Sequence, residues 1–186
     1  MILIGLHSGG VVRIDPEKKT ADVSQVTPHD LAYGLAHVTR FGGQVGAYSV
    51  AEHSVRLARW VYEAGHGRRA ELAMLLHDAP ECLGEGDHQR FVKRAFFGSG
   101  PAEYSAMICD ALWQRFAPDA PHRFADYVPL VKWFDERLGH AEARALGMPC
   151  EGEVHPFAAP HAPRAGIRYA ARVVISEYMR VWEDCT

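Results

Sequence analysis

The chain has 186 residues, 48% of them apolar and 23% charged, and a formal net charge of −3. That make-up fits one globular domain with a core of its own. It offers no basic footprint for duplex nucleic acid, and no run approaches the roughly eighteen apolar residues that span a membrane.

Cys82, Cys109, Cys150 and Cys185 are widely separated and form no C-x-x-C pair. This argues against a cysteine-held zinc and for a reduced, cytoplasmic setting. The stretch from Met1 to Val12 is apolar but short, interrupted by Gly5, Gly9 and Gly10 and without a basic start, so it does not read as a signal peptide.

Residues 2–6 and 11–14 are short β-like runs around Ser8-Gly9-Gly10 and predict a small N-terminal hairpin, closed by Asp15-Pro16 and followed by a polar linker to residue 26. Thr27-Pro28-His29-Asp30 is a capping-box start for a helix running to about Thr39, with Leu31, Leu35 and Val38 on one face. Arg40-Phe41-Gly42-Gly43 breaks it. Ser49-x-x-Glu52 opens a second helix ending near Gly65, whose inward stripe is His53, Leu57 and Trp60. A third, from about Arg68 to Asp78, carries Ala70, Ala73, Met74 and His77 on one stripe.

Gly84, Gly86 and the segment Phe97–Pro101 punctuate the middle, with a short helix between them. Longer helices are expected near 101–117 and 126–146, the latter stopped by Gly147. Four prolines mark residues 148–163 as a surface excursion, and a last helix over about 164–183 buries Ile167, Ala171, Val174 and Tyr178. The fold class is all-α, a compact helical bundle carrying a small β-hairpin, with residues 27–147 as its functional core. Trp60, Trp113, Trp133 and Trp182 read as core or subunit-interface residues.

The chemistry centres on Leu75-Leu76-His77-Asp78-Ala79-Pro80-Glu81, where an imidazole stands next to a carboxylate at a helix end. Successive helical residues point about 100° apart, so His77 and Asp78 share one ion only near the end of the helix, where Pro80 favours a break. Two ligands do not close a shell. His53 faces inward from the preceding helix, and Asp135 borders the apolar face of Val131, Phe134, Leu138 and Ala141, as one of several carboxylates that periodicity leaves open. Nitrogen and oxygen donors without sulfur suit Mn²⁺, Co²⁺, Fe²⁺, Zn²⁺ or Mg²⁺.

Tyr48-Ser49-Val50-Ala51-Glu52-His53-Ser54, then Leu75 to Glu81, then Lys132-x-x-Asp135 resemble the HD-domain phosphohydrolases, in particular the small branch with bacterial 5′-deoxynucleotidases and phage deoxyadenosine-triphosphate hydrolases. The resemblance runs from about Asp30 to Glu142. It implies an HD-domain bundle in which His53, His77, Asp78 and Asp135 hold one divalent ion. It also implies that Glu81 acts on the attacking water, that Arg40 contacts substrate phosphate, and that Asp87 and Lys93 bind near the sugar. The chain departs from the family's pattern in two places. Gly86-Asp87-His88-Gln89-Arg90-Phe91-Val92-Lys93 lacks the two prolines usual after Gly-Asp, and Gln44 stands where many relatives have histidine.

A divalent ion lowers the pKa of a water towards neutrality, Glu81 can take the proton, and the planar fork of Arg40 suits phosphoryl oxygens. The expectation is hydrolysis of (deoxy)nucleoside 5′-monophosphates by a cytoplasmic homo-oligomer that needs neither nucleic acid nor membrane. Its rivals are release of triphosphate from a deoxynucleoside triphosphate, with Arg90 and Arg94 as extra positive charge, and a nucleotide-binding regulatory module without turnover.

Overall fold

The computed structural model describes residues 1–85, 99–150, 153–164 and 169–186. Three strands, β1 (Ile2–Gly5), β2 (Val11–Asp15) and β3 (Thr20–Asp22), form an antiparallel sheet in that order. The expected hairpin is present, but the chain after it is not all linker. Asp15 Oδ1 accepts the backbone N–H groups of Glu17 and Lys18, both at 3.1 Å, and this turn returns Thr20–Asp22 alongside β2. A Thr-Ala-Asp triplet has no apolar alternation to announce a strand. The turn makes it one.

Among the described residues the α-helices are α1 (Pro28–His37), α2 (Val50–Glu63), α3 (Gly67–Leu76), α4 (Gly100–Phe116), α5 (Phe124–Ala145) and α6 (Ala171–Cys185). The protein is therefore mostly helical with a small sheet at its N-terminal end. None of these helices is long and apolar enough to cross a membrane.

Local chemistry explains where each helix begins and ends. Thr27 caps α1 in a full capping box with Asp30. The same carboxylate accepts the N–H and hydroxyl of Ser8, at 2.8 and 3.0 Å, which fastens the β1–β2 turn to the helix. Ser49 caps α2 by accepting the Glu52 N–H at 3.2 Å, while the Glu52 carboxylate is engaged by Arg56 at 2.7 Å, one turn on. Helix α5 starts earlier than position 126, because Asp126 accepts the N–H of Arg123 at 2.8 Å. It ends at Ala145; Gly147, whose φ of 75° suits glycine, lies just beyond, and Met148 N–H closes back on Ala143 O at 2.8 Å.

Two boundaries differ from expectation in ways that matter. Helix α3 stops at Leu76, so His77 and Asp78 lie in a turn and not in the last helical turn. Helix α6 begins at Ala171, not near 164, and continues to Cys185. Residues 165–168, with Ile167, lie outside the described residues, as does the short helix expected between Gly86 and Phe97.

The core forms where α2 and α3 pack on each other and α6 lies across α1, α2 and α3. His53, Leu57 and Trp60 are buried on α2 as their spacing requires. The Tyr178 hydroxyl on α6 donates to Leu75 O at 2.7 Å, anchoring the end of α3 immediately before His77. Trp60, Trp113 and Trp182 are core residues, whereas Trp133 is 40% exposed. None of the four cysteines is in a disulfide.

Candidate metal centre

Four segments converge on one point. The first is the loop after α1. Thr39 and Ser49 form an isolated antiparallel bridge, with Arg40 N–H donating to Tyr48 O and Val50 N–H to Val38 O, both at 2.9 Å. Between them the chain reverses through positive φ at Phe41, Gly42, Gly43 and Gly46. Phe41, at φ 56°, is a non-glycine residue in the left-handed region, a strained conformation that the pinned ends of the loop hold in place. Arg40 and Tyr48 thus leave the same fastened base, on opposite strands of the loop.

The second segment is α2, which presents His53 with a fully buried side chain. The third is the turn after α3, with His77 and Asp78, and the fourth is α5 with Asp135. His53 Nε2 lies 3.1 Å from Asp135 Oδ1 and 3.8 Å from Asp78 Oδ2, and His77 Nε2 lies 3.1 Å from Asp78 Oδ2. Among the described residues, His53, His77 and Asp135 form a set whose ligand atoms all lie within 4.8 Å of one another. Asp78 stands beside that set, with Arg40 Nη1 3.5 Å from its Oδ2.

Both imidazoles are oriented the same way. His77 Nδ1 is 2.7 Å from Met74 O, and His53 Nδ1 is 2.8 Å from Glu142 Oε1. A ring that donates from Nδ1 keeps its lone pair on Nε2. Both Nε2 atoms are buried and neither makes a hydrogen bond of acceptable geometry, despite the nearby carboxylates. Two buried Nε2 atoms converging with a carboxylate oxygen fit a divalent cation, which would take the place of any proton on His53 Nε2, better than they fit a hydrogen-bond network.

Charge within the site is balanced by close pairing. Burial opposes the charge on Arg40, but Glu142, Asp135 and Asp78 outweigh it and hold the guanidinium protonated. Burial alone would raise Asp78, Asp135 and Glu142. Against it, His77 and His53 hold Asp78, and His53 together with Arg40 holds Asp135 and Glu142, below the ordinary carboxylate range. Burial and Arg40 both disfavour a proton on His53, yet Glu142 and Asp135 prevail and raise its pKa from 6.5 to about 9.

A pH dependence follows for the metal-free protein. A folded pKa above the unfolded one gives stability that is fully present below pH 6.5 and is lost as pH rises through about 9. The expected loss across that window is on the order of 3 kcal/mol. The depressed carboxylates contribute in the opposite sense, with stability lost as pH falls below about 4. Urea unfolding of chelator-treated protein from pH 4 to 10 should therefore show a maximum near pH 5–6.5. A stability that stays flat from pH 6.5 to 9 would refute the assignment to His53.

Glu81 opens a short π-type turn, Glu81–Glu85, and its N–H donates to Asp78 O at 2.9 Å. It therefore lies one turn beyond Asp78, with a buried carboxylate oxygen. Asp87, Lys93, Arg90 and Arg94 lie outside the described residues.

Two participants escaped the sequence reading, Glu142 and Tyr48. Glu142 is fully buried and accepts the Tyr48 hydroxyl at 2.5 Å as well as His53, with Arg40 Nε 3.4 Å from its other oxygen. The available signal was position: Glu142 falls two turns after Asp135, on the same face of α5.

No family model matches the chain. An uncharacterized protein of Rhodobacter capsulatus is 45% identical over 92 residues, covering 47% of this chain and 46% of that protein. The chain thus matches about half the length of that relative.

Proposed function

We propose that this chain is an HD-type, metal-dependent phosphohydrolase that converts (deoxy)nucleoside 5′-monophosphates to nucleoside and inorganic phosphate. The observation that carries this reading is the pair of buried Nε2 atoms of His53 and His77, both with Nδ1 engaged, converging with Asp135. His53, His77 and Asp135 would hold the ion, with Asp78 beside them. An ion there would supply a water of lowered pKa and positive charge against phosphoryl oxygens.

The chain's own residues perform the rest. Glu81, a carboxylate one turn past Asp78, accepts a proton from the attacking water. Arg40 keeps a permanent positive charge at the edge of the site, fixed by Asp78 and Glu142, where negative charge grows on the phosphoryl group. The water oxygen bonds to phosphorus, the phosphorus–O5′ bond breaks, and the alkoxide takes up a proton to leave as the nucleoside.

A panel of nucleoside mono- and triphosphates with Mn²⁺, Co²⁺, Zn²⁺ or Mg²⁺, analysed for inorganic phosphate and triphosphate, tests the reading. Metal-dependent phosphate release from a monophosphate is the expected result. Release of triphosphate alone would transfer the site to deoxynucleoside triphosphates. No release with any ion would leave a nucleotide-binding module.

A further inference from the structure

We infer that Glu142 is a positioning residue of this centre, acting through His53; the inference rests on the proposed metal reading of the site. Glu142 is 0% exposed, and its Oε1 faces Nδ1 of His53 at 2.8 Å, the ring edge opposite the one directed at Asp135 and His77. It is therefore placed to brace a ligand, not to be one. Its second donor is the Tyr48 hydroxyl at 2.5 Å, and Arg40 Nε stands 3.4 Å from Oε2.

Core packing does not account for this carboxylate. An ionised group at 0% exposure costs several kcal/mol in desolvation, and an apolar residue of similar volume would fill the same space on α5 without that cost. What the carboxylate does supply is a fixed acceptor for Nδ1–H. An imidazole without such an acceptor divides between two tautomers and two ring flips, of which one combination aims a lone pair from Nε2 into the cluster.

The contrast with His77 sharpens the assignment. His77 is held by a backbone carbonyl, Met74 O at 2.7 Å, which no side-chain change removes. His53 depends on a side chain 89 positions away, so its orientation can be lost by one substitution. The loop carrying Arg40 and Tyr48 then has a second role, because these two side chains at its base hold the Glu142 carboxylate in place.

The test uses the full chain and Zn²⁺. In Glu142→Leu, which keeps the volume and removes the acceptor, the Zn²⁺ affinity, by competition with a chromogenic chelator, should fall roughly 10–100-fold. In ¹⁵N-edited NMR the Zn²⁺-loaded wild type should show His53 coordinated through Nε2, with an Nδ1 proton protected from exchange. The variant should lose that protected proton.

Wild-type Zn²⁺ affinity in Glu142→Leu, with the protected Nδ1 proton retained, overturns the inference and leaves the metal centre standing. A purely structural role would lower the metal-free melting temperature while leaving affinity and the Nδ1 signal of the folded protein unchanged, and that result also overturns it. Should the variant not fold, the wild-type spectrum decides, since coordination through Nδ1 or a freely exchanging Nδ1 proton refutes the brace. Absence of Zn²⁺ binding by the wild type removes the metal reading itself, and the inference with it.

Discussion

Asp135→Asn should weaken Mn²⁺ or Zn²⁺ binding by more than about 100-fold and reduce metal-dependent phosphate release to background, with the helical fold retained. The substitution keeps size and shape while removing the charge. Asp135 contributes one of the three atoms that lie within 4.8 Å of each other, and its Oδ1 is 3.1 Å from His53 Nε2. An amide oxygen is a far poorer donor to a divalent ion, and the neutral group no longer offsets its charge. Because the side chain is 22% exposed and at the border of the α5 face, the neutral amide can reach solvent without leaving a buried group stranded. Isothermal titration with Mn²⁺ and far-UV circular dichroism separate the two effects. A variant that binds Mn²⁺ like the wild type would place the ion elsewhere.

Glu81→Gln should leave metal affinity within a few-fold of wild type while turnover falls roughly 10²–10³-fold, the range in which a positioned proton acceptor contributes. Glu81 lies outside the close His53–His77–Asp135 set, and its backbone is fastened to Asp78 O at 2.9 Å, so the amide keeps its place. The wild-type rate should also fall as the base becomes protonated at low pH, and this limb should be missing from the variant. Full turnover in Glu81→Gln would remove the carboxylate from the chemistry and leave the ligands unaffected.

Helix α2 was legible because its cap and its stripe are local properties: Ser49 marks the start, and His53, Leu57 and Trp60 recur at helical spacing. Gly147 was legible as a stop for the same reason. Local rules also identified Thr27 and Asp30 as a capping box, though not the bonds from Ser8 that give the same aspartate a tertiary function.

What escaped was decided across the chain. Periodicity left Asp135 on a helix border among other acids; the resemblance singled it out, and its Oδ1 lies 3.1 Å from His53 Nε2. Glu142 resembles any helical glutamate in sequence, and its burial is explained by partners 94 and 89 residues away. Strand β3 depends on a turn organised by Asp15, not on its own composition. The motif residues that can be compared by eye carry the resemblance. The buried network that orients them has no short motif of its own.

The bond from Tyr178 to Leu75 O spans 103 positions, and the one from His53 to Glu142 spans 89. The centre is thus a high-contact-order object, assembled by closures that span about half the chain. As the chain leaves the ribosome, the helix bearing His53 and the turn bearing His77 appear well before α5 supplies Asp135 and Glu142. Helix α6, which anchors the end of α3, follows α5 in the chain. A nascent chain therefore carries His53 and His77 before their cluster partners exist, and a divalent ion of the proposed kind would meet the full set only once α5 has been made. Metal loading would in this sense report that α5 has docked on α2 and α3.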